Sequence, residues 1–159
     1  MDTPAVLRER KRSDYPYVLT YRTRWSDNDM YDHLNNSIYN FLIDSVINTY
    51  LSKHCGQSPR TSAQYGLVAS SHTDFLSSLA FPAVAETRLR VHKLGRTSVT
   101  YEVGIWEEGV EGIKAVGRVV HVFVERETRR PARDGMGTVP SGGFGEVECG
   151  GEGEVVSVV

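Results

Sequence analysis

The stretch that decides the fold is Trp25-Ser26-Asp27-Asn28-Asp29-Met30-Tyr31-Asp32-His33-Leu34-Asn35-Asn36-Ser37. Three carboxylates and an imidazole crowd a loop that runs straight into an apolar helix pattern. From Asn36 to Lys53, Ile38, Leu42 and Val46 recur every four residues, and Phe41, Ile43, Ile47, Tyr50 and Leu51 widen the stripe. Ser37, Asn40, Asp44 and Asn48 make the opposite, polar row. That spacing predicts a helix, N-capped by Asn35 or Asn36 and stopped at Gly56. A stripe this wide predicts cover on more than one side. An acidic loop at a helix start sets charged oxygens near unpaired N–H groups and the positive end of the helix dipole. Such a place suits holding a water or polarising a carbonyl.

On either side of this unit the period changes from helical to two. Upstream, Tyr17, Leu19, Tyr21 and Thr23 alternate through Pro16 to Trp25 and predict a strand. Downstream, a linker from Gly56 to Tyr65 leads to a weakly alternating segment, Leu67 to Phe81, read as a strand ended by Pro82. Ala85, Thr87, Leu89 and Val91 then alternate with Glu86, Arg88, Arg90 and His92, and Val99, Tyr101, Val103 and Ile105 with Ser98, Thr100, Glu102 and Gly104. Gly95-Arg96 reads as the hairpin between them, and Glu107 to Gly112 as a second turn. Lys114 to Glu125 reads as a long strand with Val116, Val120, Val122 and Val124 on one side. Strand, long helix and four strands joined by short turns give an α+β architecture, an antiparallel sheet wrapped around one helix.

The termini differ from this body. Residues 1–15 form a polar arm, 16–131 the domain, and 132–159 a tail in which eight glycines lie without periodicity. The tail is expected to be poorly ordered, although Val155 to Val159 has the composition to add to a sheet edge. At 159 residues the chain is one domain with 40% hydrophobic and 24% charged residues. A net charge of -2 gives no reason to expect nucleic-acid binding. No apolar run approaches the roughly 18 residues of a membrane span. Cys55 and Cys149 are too few and too far apart for a disulfide framework or a zinc site. A reducing compartment follows, cytoplasmic by default, with the arginines of the arm leaving a mitochondrial one open.

The order of elements and the loop resemble the hotdog-fold acyl-CoA thioesterases, most of all the 4-hydroxybenzoyl-CoA thioesterase-like branch. That signature has an Asp-x-Asp pair and then His-Val-Asn-Asn at the helix start. The counterparts are Asp27-Asn28-Asp29 and His33-Leu34-Asn35-Asn36, with Tyr39 following. The resemblance spans residues 16–131, and Arg126-Glu127-Thr128-Arg129-Arg130-Pro131 is similar to the family's exit from the last strand. It implies hydrolysis of an acyl-CoA to free acid and CoA, of the kind found in fatty acid metabolism. Asp29 would be the catalytic carboxylate, as nucleophile or as general base. His33, the second catalytic candidate, matches a histidine of plant acyl-carrier-protein thioesterases. Their asparagine two places earlier is Tyr31 here, and their strand glutamate falls near Ser78. A thioester carbonyl is already electrophilic, so a carboxylate and helix-end N–H donors suffice, with no metal or cofactor.

For substrate binding the resemblance implies Asn35, Asn36 and Tyr39 at the helix start. Lys93, Arg96, Arg126, Arg129 and Arg130 are candidates for the phosphates of coenzyme A. Dimers of this superfamily join sheets edge to edge and share sites, so a homodimer or a dimer of dimers is expected. Against these roles, Asp27 and Asp32 read as capping acids and Asp44 as solvent-facing. His72, His92 and His121 lack a metal-ligand spacing and read as structural or surface residues. Two rivals stand beside the hydrolase: a non-catalytic acyl-CoA-binding protein and an acyl-thioester dehydratase.

Overall fold

The computed structural model describes residues 2–132 and 156–158. Its elements are α1 (Pro4–Arg8), β1 (Tyr17–Arg22), α2 (Asn36–His54), β2 (Gln64–Phe75), β3 (Val84–Leu94), β4 (Ser98–Glu107), β5 (Ala115–Glu125) and β6 (Val156–Val158). The sheet order is β2-β5-β4-β3-β1-β6. The first five strands pair antiparallel and curl around α2, which is the hotdog fold. β6 pairs parallel with β1, so the end of the chain does reach a sheet edge. Residues 133–155, with the glycine clusters and Cys149, lie outside the described part; Cys55 is a buried free thiol. Among the described residues no helix is long and apolar enough to cross a membrane.

The long helix forms where the periodicity puts it because both ends are capped. The Asn35 side chain accepts from Ser37 N at 2.9 Å. At the other end Gly56 takes φ +62, and the amides of Cys55 and Gln57 both turn back to Leu51 O. Tyr39, Leu42, Ile43, Val46, Ile47 and Leu51 are buried against the inward rows of the sheet. From β3 and β4 those rows are the predicted ones, including Leu89, Tyr101, Val103 and Ile105. Each such side chain contributes about 1.5–3 kcal/mol by leaving water.

One strand reading is corrected, and the facing of another strand is decided. The strand expected over Leu67 to Phe81 runs instead from Gln64 to Phe75. After Phe75 the amides of Leu76 and Ser77 both donate to Lys114 O, and the chain leaves the sheet to bury Leu79. In β5 the valine row is not the helix-facing one. Ala115, Val119 and Phe123 face the helix with Gly117 and His121, because pairing with β4 sets their register. Gly117 is glycine because the Ile43 side chain fills the space of a Cβ there.

The outer face of the sheet is covered by the N-terminal arm. Leu7 and Tyr15 pack with Leu76, Trp106, Ile113 and Val116 in a second, smaller core. Arg12 anchors the arm through Glu86 at 2.7 Å and the carbonyls of Glu107 and Val110. Deeper still, Glu102 is 0% exposed and accepts from Tyr15 Oη, Arg90 and Arg118. Burial pushes its carboxyl up, but these three partners win and hold it below the ordinary value. The register predicts the cluster, since Arg90 and Arg118 sit directly across β4 from Glu102.

Candidate active site

The loop between β1 and α2 divides its three carboxylates by task. Asp27 is buried and accepts from Tyr21 Oη at 2.8 Å and from Arg24 N at 2.7 Å. It is a capping acid, as read. Burial and this bond raise the Tyr21 hydroxyl pKa. Asp32 is exposed and adopts φ +57, a left-handed backbone that lets the turn close. Asp29 is half-buried, and its Oδ1 accepts from Tyr31 N at 2.8 Å and from His33 N at 3.3 Å. Its own N–H donates to His33 O at 2.8 Å. One carboxylate oxygen therefore ties the turn, while Oδ2 makes no hydrogen bond to the described residues.

The loop after β2 grips this turn from the other side. Leu34 N donates to Leu79 O at 2.7 Å, and Phe81 N donates to the Asn28 side chain at 3.0 Å. Between the two loops and the start of α2 lies a cavity of about 280 Å³. Its walls include His33, Asn36, Tyr39, Phe75 and Ser78. The Tyr39 ring meets Phe75 edge-on at 5.1 Å, giving the cavity an aromatic wall. Asn35 N is used by Asp27 O, and Ser37 N by the cap. Asn36 N has no acceptor among the described residues, and Asn36 is a wall residue at the positive end of the helix.

Not every predicted residue comes to this place. His33, Asn36 and Tyr39 line the cavity; Asn35 caps the helix beneath it. Asp29 is not on the wall itself but hydrogen-bonded to the backbone of His33, which is. Asp44 is solvent-exposed, as expected. Lys93, Arg96, Arg129 and Arg130 are exposed at the opposite end of the sheet. Tyr17, which opens β1, pairs with Leu89 toward the hairpin and packs on Tyr50 and His54 at the end of α2. Arg126 is engaged locally, donating to the carbonyls of Ser62 and Pro59. The readings missed Phe75 and Ser77 as wall residues, because a strand was drawn through them.

None of the curated proteins matches the chain. The PA5185 protein of Pseudomonas aeruginosa is 43% identical, with a TM-score of 0.73, over 76% of this chain and 85% of that one. A DHNA-CoA thioesterase from Staphylococcus aureus shares the fold at 18% identity and TM-score 0.65, over 74% of this chain and 79% of that one. The hypothetical protein SAV2348 of the same organism, solved in complex with CoA, is similar at 19% identity and TM-score 0.68, over 73% and 74%. The Thioesterase-like superfamily matches residues 23–133, a span that holds the acidic loop, the long helix and the four strands after it. On that match, and on the fold that carries it, the chain belongs to the thioesterase-like superfamily.

Proposed function

We propose that the protein hydrolyses an acyl-CoA thioester. The observation that carries this reading is an uncommitted carboxylate oxygen, Asp29 Oδ2, on the turn that it closes with His33, beside a cavity that His33 lines together with Asn36, the residue with an uncommitted helix-end amide. The carboxylate acts as nucleophile on the thioester carbon or as general base on a water, and Asn36 N–H receives the developing oxyanion. His33 and Tyr39 position the thioester from the cavity wall. The CoA-bound structure of SAV2348 supports a ligand of the CoA type.

The basic residues enter through a second copy. β2 is a sheet edge with exposed Leu67 and Val68, and an unpaired edge of this kind invites strand pairing. An antiparallel β2–β2 dimer brings the hairpin end of one copy beside the helix start of the other. Lys93, Arg96, Arg129 and Arg130 of one chain then serve the phosphates of a CoA whose acyl group lies in the other. This arrangement reconciles their distance from Asp29 within one chain.

A second reading, acyl-CoA binding without hydrolysis, is favoured by the place of Asp29 behind the cavity wall. One experiment separates the two. The protein is mixed with a panel of acyl-CoAs and a thiol-reactive dye. Thiol release that vanishes in Asp29→Asn supports hydrolysis at this site; CoA-thioester binding with no thiol release supports the second reading. Release that persists unchanged in Asp29→Asn removes the carboxylate from the mechanism.

A further inference from the structure

The N-terminal arm precedes residues 23–133, the span that the superfamily matches, yet it bonds to a wall residue of the cavity of about 280 Å³. Arg8, the last residue of α1, donates from Nη2 to Leu76 O at 2.8 Å. Leu76 lines that cavity with Ser77 and Ser78. The bond to Leu76 O is the one hydrogen bond of the Arg8 side chain among the described residues.

This bond falls on a peptide unit whose other polar group is also engaged. The peptide that joins Leu76 to Ser77 presents its carbonyl to Arg8 and its N–H to Lys114 O, the latter at 3.1 Å. A peptide unit is planar, so fixing both its oxygen and its N–H fixes the plane and the direction in which the chain leaves it. Leu76 N donates to the same Lys114 O at 2.9 Å. Three residues on, Leu79 O accepts from Leu34 N at 2.7 Å. Leu34 follows His33, so this second tie joins the segment to the turn that carries Asp29. Between the two ties, Ser77 and Ser78 are exposed on the cavity wall.

The arm has other anchors that do not touch this segment. Arg12 holds Glu86 and the carbonyls of Glu107 and Val110, and Tyr15 donates to Glu102. Arg8 is exposed, and its charged donor makes the stronger kind of hydrogen bond to the wall instead. We infer that Arg8 is a positioning residue of the candidate active site: it holds the Leu76–Ser77 peptide, and so the Ser77–Ser78 wall, in place beside the turn of Asp29 and His33. The inference rests on the hydrolase reading, in which the thioester occupies the cavity that this wall shares with His33 and Asn36.

The test compares the native protein with Arg8→Met, which keeps an aliphatic stem and removes the donor, and with Arg8→Lys, which keeps a charged donor. By hydrogen exchange on the intact protein, the amides of Leu76 and Ser77 are expected to exchange about tenfold faster in Arg8→Met, with the amides inside α2 unchanged. By thiol release from acyl-CoA, the same variant is expected to raise KM by about tenfold and to leave kcat within about twofold, because the turn of Asp29 is closed by its own bonds. Arg8→Lys restores most of both. Unchanged exchange at Leu76 and Ser77 overturns the inference and leaves the hydrolase reading standing. An unmoved KM, whatever the melting temperature does, overturns it as well, since it leaves Arg8 a purely structural role. No thiol release from any acyl-CoA sinks the hydrolase reading and the effect on KM together; the exchange at Leu76 and Ser77 then still decides whether Arg8 holds this peptide.

Discussion

Asp29 and His33 close a turn on each other twice: Asp29 N donates to His33 O at 2.8 Å, and His33 N donates to Asp29 Oδ1 at 3.3 Å. The carboxylate therefore has a structural half and an uncommitted half. Asparagine keeps an oxygen that can accept from both amides but loses the charge. Asp29→Asn is expected to lower thioester hydrolysis by about 10²–10⁴-fold while leaving the melting temperature nearly unchanged. Asp29→Ala removes the turn bonds as well, so it lowers activity and stability together. Steady-state kinetics and calorimetry on the two variants check the split.

Glu102 lies beneath the arm with Tyr15, Arg90 and Arg118 around it. Removing one member of such a buried ionic group strands the others. Glu102→Leu is expected to destabilise the fold by about 3–5 kcal/mol in urea unfolding, since three cationic or polar partners lose their acceptor. The acid limb follows from the same contacts. The folded state holds the Glu102 carboxyl below its ordinary 4.5, so its contribution is complete above that value. It is lost as the pH falls from there through the lower folded value. A urea midpoint that does not decline over this range would contradict the assignment.

His121 adds a second acid step with the opposite charge logic. Burial lowers its pKa from 6.5, opposed by the negative charge of Asp44, so the unfolded chain takes up a proton first. Stability is therefore full above about pH 6.5 and declines as the pH falls below it, by at most about 1.4 kcal/mol per pH unit. The decline levels off below the folded value. His121→Phe is expected to flatten the stability curve between neutrality and the carboxylate range. Chemical denaturation at a series of pH values measures this directly.

Gly104 stands against the indole of Trp106, which fills the space where a Cβ would go. Trp106 is the largest buried side chain of the outer core. Gly104→Ala is expected to cost about 1–3 kcal/mol through overpacking. Thermal unfolding of this one variant tests how far Trp106 can yield to a Cβ at position 104.

The β2 edge is the last subject for test. Val68→Lys puts a charge on the strand where a second copy would pair. Sedimentation should show the native protein as a dimer and the variant shifted to the monomer. Hydrolysis should fall with it, because the basic end of one chain no longer reaches the helix start of another.

Much of this was written along the chain. The four-residue spacing of Ile38, Leu42 and Val46, the Asn35 cap and the alternation in β3 and β4 are local regularities, and each became the element it announced. The Asp-x-Asp loop was visible for the same reason: its turn is closed by bonds between residues at most four apart. What could not be read is everything set by distant partners. The end of β2 at Phe75 depends on Lys114 O, and the burial of Leu7 depends on Trp106 across the sheet. The inward turn of His121 depends on which face β4 assigns to it. Local periods specify elements because each residue's neighbours along the chain suffice to define them. Cavities, buried charges and the facing of a strand arise from contacts between segments far apart in sequence, and no single segment carries them.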